Sequence, residues 1–269
     1  MLVSLKELKG LTIQAKDGEI GKVNDVYFDD RAWVVRYLID KTGFWLFGQQ
    51  VLISPASVLA IDMEKHQIRV DLTRDQVANS PKVDQEKPLS HDAENELIQY
   101  YHWPTYLGIG GMGVGGVGIG GTDTAQSAAY GQTQVPFPIT LSEPRKIVHD
   151  EESDGPNIIS TDHVLKYPVS TSDGDLGFVS DLIVDLETWE IRYLVIEIDE
   201  EKEKKVLIDP EWIDWISWKK RRISVSIKRE KIKACPRFDL SLPIQREYEN
   251  LLYEHYECKK YWERKDAGS

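Results

Sequence analysis

Asp25 and Arg36 recur, at the same separation, as Asp181 and Arg192. A carboxylate and a guanidinium retained twice could orient a catalytic group through a charge-assisted hydrogen bond, or could pair across a hairpin and fix its register. The spacing favours pairing. With loops at Asp29 to Ala32 and Asp185 to Thr188, Asp25 stands opposite Arg36 and Asp181 opposite Arg192. Each couple is therefore expected to be a structural ion pair worth about 0.2–1 kcal/mol. The remaining candidates for chemistry fail on spacing. Asp150, Glu152 and Asp154 precede Gly155 in the manner of a calcium loop, but the twelfth position, which needs a bidentate glutamate, is Thr161. His66, His91, His102, His149, His163 and His255 show no metal-ligand spacing, and neither Cys235 nor Cys258 sits in a recognisable nucleophile signature. Gly108, Gly110 and Gly113 fit G-x-G-x-x-G, yet "HWPTYL" precedes them and more glycine follows, where a phosphate loop needs a buried strand and a helix. The expectation is a protein with no catalytic residue, no metal and no cofactor.

The elements that would carry these residues are duplicated. "DGEIGKVNDVYFDDRAWVVRYLID" at 17–40 returns as "DGDLGFVSDLIVDLETWEIRYLVI" at 173–196, with 10 identical positions in 24. Asp17-Gly18 and Asp173-Gly174 are hairpin signals, since both residue types tolerate positive φ. Strands follow in "KVNDVYFD" and "WVVRYLID", then in "QQVLIS", and their counterparts are "FVSDLIVD", "WEIRYLVI" and "KKVLID". Shorter strands around 58–62 and 67–72 match 212–216 and 223–227. This predicts an all-β protein with minor α content: two small antiparallel barrels, closed or nearly so, because closure hides strand edges. "PLSHDAENELIQYYHW" (88–103) and "PIQREYENLLYEHYEC" (243–258) share Glu-Asn, and Tyr248, Leu251, Leu252 and Tyr256 keep helical spacing. Each barrel is thus expected to end in a short amphipathic helix packed on it. Between the copies lies "GIGGMGVGGVGIGG" followed by a polar and acidic stretch, which reads as a flexible tether. The domains are then 1–107, a linker at 108–156, and 157–269. The two copies are also expected to pack together, as an ancestral homodimer would.

The D-G-x-x-G-x-V-x-D opening, the Tyr-Leu of the following strand and the V-L-I-x-P element resemble the PRC-barrel family, known from the reaction centre H subunit and the ribosome maturation factor RimM, and the resemblance holds in both halves. It implies a small β-barrel used in binding and assembly, without a shared catalytic residue. Neither specific function transfers, because the transmembrane helix of the first and the partner domain of the second have no recognisable counterpart here.

Composition narrows the partners. A net charge of −12 argues against bulk affinity for nucleic acid, and the one basic run, "KKRR" at 219–222, reads as a hairpin tip. No apolar run approaches the roughly 20 residues of a membrane span, and the opening residues lack a leader pattern, so a cytoplasmic protein without an integral membrane segment is expected. The copies differ most between the second and third of these strands. There "KTGFWLFGQQ" stands against "EIDEEKEKK", which makes Phe44, Trp45, Leu46 and Phe47 the candidate interface for a protein partner or for self-association. The expected function is a non-enzymatic binding or assembly module. Two alternatives stay open: a small-ligand sensor or enzyme with a site between the barrels, lined by Trp33, Trp189, Trp212 and Trp215, or an RNA-processing, ribosome-associated factor.

Overall fold

The computed structural model describes residues 1–41, 50–83, 89–104, 147–149, 158–198 and 204–264. In the first half these form β1 (Leu2–Ser4), α1 (Leu5–Leu8), β2 (Thr12–Ala15), β3 (Gly18–Asp29), β4 (Val34–Lys41), β5 (Gln50–Ile53), β6 (Val58–Asp62), β7 (Gln67–Val70), α2 (Arg74–Ala78) and α3 (His91–Tyr101). The second half follows with β8 (Val148–His149), β9 (Ile158–Ser160), α4 (Thr161–Val164), β10 (Pro168–Thr171), β11 (Gly174–Asp185), β12 (Ile191–Ile198), β13 (Lys205–Ile208), β14 (Ile213–Ser217), β15 (Arg222–Val225), α5 (Arg229–Lys233), α6 (Arg246–Tyr256) and α7 (Tyr261–Arg264). The expected linker lies outside the described residues except for 147–149, where Val148–His149 forms β8 and pairs with β14.

The two Asp-Gly turns explain themselves. Gly18 and Gly174 hold φ of 145° and 143°, a region that side chains strain to reach. Their aspartates tie the turn to a distant helix: Asp17 accepts from the Arg74 amide at 2.8 Å, and Asp173 from the Arg229 amide at 2.9 Å. Each turn thereby anchors the start of the helix that follows the last strand of its half.

One sheet runs β5-β4-β3-β2-β7-β6 and the other β13-β12-β11-β10-β15-β14, the same order twice, with β8 added beside β14. The expectation of wholly antiparallel sheets needs correction, since β2 runs parallel to β7 and β10 parallel to β15. The last hairpin of each half returns beside its first strand, and the direction in which it returns makes that pairing parallel. Among the described residues the pairings follow open paths.

The halves also exchange strands. β1 leaves the first half to pair with β11, and β9 leaves the second half to pair with β3. The contacts are reciprocal at the offset of the repeat: Ser4 faces Ile183 as Ser160 faces Tyr27. Each sheet is thus completed by the other half, and one apolar core runs through both, from Val3 and Leu8 to Tyr253 and Tyr256. A smaller cluster of Tyr37, Ile39, Leu52, Leu97 and Trp103 lies under α3.

Candidate functional site

The repeated polar residues gather where the halves meet and where each terminal helix docks. Asp25 stands opposite Ile39 rather than Arg36, and Asp181 opposite Val195 rather than Arg192, which corrects both expected ion pairs. The reason is local. Asp29 Oδ1 accepts from the amides of Arg31 and Ala32, both at 2.9 Å, and Trp33 turns into the left-handed region at φ 56° to donate its amide to the Asp29 carbonyl. Trp189 does the same at φ 58°. The turn therefore extends one residue further than its composition suggested, and bulges within both strand pairs move the register again.

Freed from that pairing, the aspartates reach across the seam. Asp25 accepts hydrogen bonds from the hydroxyls of Ser160 at 2.5 Å and Thr161 at 2.8 Å, and meets the Lys9 ammonium at 3.1 Å. Asp181 accepts from the Ser4 hydroxyl at 2.5 Å and from the Leu182 amide at 2.8 Å. Burial pushes the Asp181 carboxyl above its ordinary value, and those two hydrogen bonds oppose the rise. Thr161, which spoiled the calcium loop, is here a donor at the seam, while 150–155 lies outside the described residues.

The repeated arginines turn to other acids. Arg36 contacts Glu94 at 2.7 Å and Asp29 at 3.5 Å, whereas Arg192 contacts Glu190 and lies 3.9 Å from Asp185. Arg192 also stacks on Tyr261, 4.3 Å from the ring centroid. The terminal helices dock through a matched bond. Tyr37 donates to Glu94 at 2.8 Å and Tyr193 to Glu249 at 2.7 Å, so each helix covers its own half as its apolar stripe predicts. Burial raises the Glu249 carboxyl, against Tyr193 and Arg246, which lower it.

Trp33 and Trp189 do not line a pocket. They are 0% and 1% exposed, and backbone bonds join their turns: Val35 donates to the Trp189 carbonyl at 2.8 Å and Ile191 to the Trp33 carbonyl at 2.7 Å. Trp212 is also buried, against Tyr253 and Tyr256. Trp215 is half-buried on β14. The crevice at the seam, between Leu5, Lys9, Thr161 and Asp181, has no room for a water molecule. An open groove of about 240 Å³ lies elsewhere, between Phe238, Leu242 and Tyr248. The basic run at 219–222 occupies the exposed β14–β15 turn. Phe44, Trp45, Leu46 and Phe47 lie outside the described residues.

One buried acid escaped the sequence reading. Asp40, at the end of β4, accepts from the Lys22 amide at 3.1 Å and the Asn24 amide group at 3.3 Å, while its Oδ2 has no partner. Burial lifts its pKa to about 6. Gly21 makes room for it, since a Cβ there would come within 2.0 Å of Oδ2. Ser4 and Ser160 were missed as well, although the offset of the repeat extends to them and would have revealed the match.

Among the described residues no group of three His, Cys, Asp or Glu side chains is arranged to hold a metal, and no helix is long and apolar enough to cross a membrane. A comparison with curated proteins finds no match to the chain. The strand-turn-strand unit opened by Asp17-Gly18 falls within the segment that a family comparison does identify: residues 2–77 match the PRC-barrel domain, and this part of the chain is a PRC-barrel domain.

Proposed function

We propose that the protein is a non-enzymatic assembly module of the cytoplasm, built from two PRC-type domains in tandem and acting through protein–protein contact. The observation that carries this reading is how the repeated ionisable residues are used. Asp25 and Asp181 bind the exchanged strands, Glu94 and Glu249 hold the terminal helices, and Arg36 and Arg192 neutralise buried acids. Residues committed to hydrogen bonds in the folded frame are poorly placed to move protons for a substrate. The tandem reading draws support from the common strand order and from the two matching Asp-Gly anchors. A ligand site between the halves gains nothing from a seam closed to water.

The contact surface we assign on sequence is Phe44 to Phe47. Trp45→Asp is expected to leave the circular dichroism spectrum unchanged while abolishing self-association in light scattering, or capture of the protein partner from the source cell. A folded Trp45→Asp variant that keeps both would remove this segment as the contact.

A further inference from the structure

The seam between the halves has a twofold character, and its axis falls on one pair of residues. Val35 donates to the Trp189 carbonyl and Ile191 to the Trp33 carbonyl, so Val34 and Glu190 face each other between these two bonds. They are also the same position of the repeat, each following its tryptophan. Opposed residues that exchange no hydrogen bond with each other bring their side chains closest across an antiparallel pair. Both are buried, Val34 at 5% and Glu190 at 2% exposure, and the glutamate meets the Arg192 guanidinium. A seam between two identical halves would carry one residue type twice on its axis. This one carries a valine and a glutamate.

We propose that the seam is an interface coded for unlike halves, with Glu190 the residue that bars one second half from pairing with another. A second copy of this chain then joins through the seam only by trading a first half for a second. Two facing Glu190 side chains would bring buried carboxylates together on the axis, each offset only by its own Arg192, in space that now holds one glutamate and one valine. The flanks repeat the choice. Lys9 meets Asp25 at 3.1 Å and Asp162 of the other half at 2.5 Å. In the repeat Lys6 answers Asp162, and Leu165 answers Lys9. Two first halves would therefore set Lys6 beside Lys9. Two second halves would set Asp162 beside Asp181, with a leucine where the lysine stands. The unlike pair instead gives Lys9 two acids and leaves Lys6 in the crevice it shares with Asp181. None of this depends on the contact assigned to Phe44 to Phe47.

The first test exchanges the axis residues in the full chain. Val34→Glu places two carboxylates on the axis and should lower the folding equilibrium constant at least tenfold at pH 7, read by urea titration. Val34→Glu combined with Glu190→Val returns the axis to one glutamate and one valine. Arg36 then stands where Arg192 now does, and Arg192 keeps Asp185 at 3.9 Å, so the exchanged chain should recover most of the loss. A cost of Val34→Glu that is the same with valine at position 190 would overturn the proposal. If Val34→Glu does not fold, folding of the exchanged chain supports the proposal and its failure to fold overturns it. The second test removes the tether. The chain is cut at a protease site placed within 108–121, unfolded in urea, refolded and weighed by native mass spectrometry. Pairs of one first and one second half should exceed second-half pairs at least tenfold, whereas like and unlike pairs in statistical proportion would overturn the proposal. The first test decides should the cut halves not refold.

Discussion

Asp25 and Asp181 are the same residue of the repeat in two different seams. Asp25 meets a lysine and two hydroxyls, and its side chain keeps 15% exposure. Asp181 meets one hydroxyl and is nearly sealed at 1%. The difference comes from two neighbours. Where the Asp25 seam has Thr161 from the exchanged segment and Lys9 from its own half, the corresponding positions at the Asp181 seam are Leu5 and Leu165. One seam adds a half-buried lysine and a second hydroxyl to its carboxylate, where the other sets leucines at those positions. A duplicated fold can therefore keep its geometry while the chemistry that holds it diverges.

The sharpest test of shared geometry is the pair of buried tryptophans. Trp33→Ala and Trp189→Ala should each cost about 3–5 kcal/mol, as large core truncations do. Because one core spans both halves, either variant should still melt in a single transition by calorimetry. Two separate transitions would break the picture of a shared core. The divergence of the seams is tested next. Asp25→Ala strands the Lys9 ammonium and the Ser160 and Thr161 hydroxyls and should cost about 2–3 kcal/mol in urea titrations, while Asp181→Ala should cost about 1 kcal/mol. Equal losses would mean that Lys9 and Thr161 contribute nothing.

A further difference is the pH dependence contributed by Asp40, which has no carboxylate counterpart in the second half, where Ile196 occupies its position. Its folded pKa of about 6 lies above the ordinary carboxylate value of 3.8, so the folded state holds the proton more tightly than the unfolded one. The stabilisation is complete below pH 3.8 and is lost as the pH rises through about 6. Asp40→Asn should flatten thermal stability across that window and gain most on wild type at pH 8. Parallel pH profiles for the two proteins would show that Asp40 is already well solvated.

The turns at Asp17-Gly18 and Asp173-Gly174 and the strands after them were legible because their signals are local: positive φ at glycine, and apolar runs bounded by turn residues. The terminal helices were legible from periodicity, and the shared Glu-Asn marked the residue that docks them without naming its tyrosine partner. Register was not legible. The left-handed tryptophans lengthen their turns and the bulges offset the strands, and each displaces the pairing that residue counting assigns.

By itself, the sequence determined that the segment 17–40 returns at 173–196, that strands and a later helix follow in each half, and where their tight turns fall, since each of these rests on identity or periodicity within a short window. Tertiary structure alone decided that Leu2–Ser4 and Ile158–Ser160 cross to the opposite half, and hence what the repeated aspartates bind. A strand of three residues has nearly the same backbone to offer either sheet. Its choice is made by contacts far away in the chain, which no local pattern records.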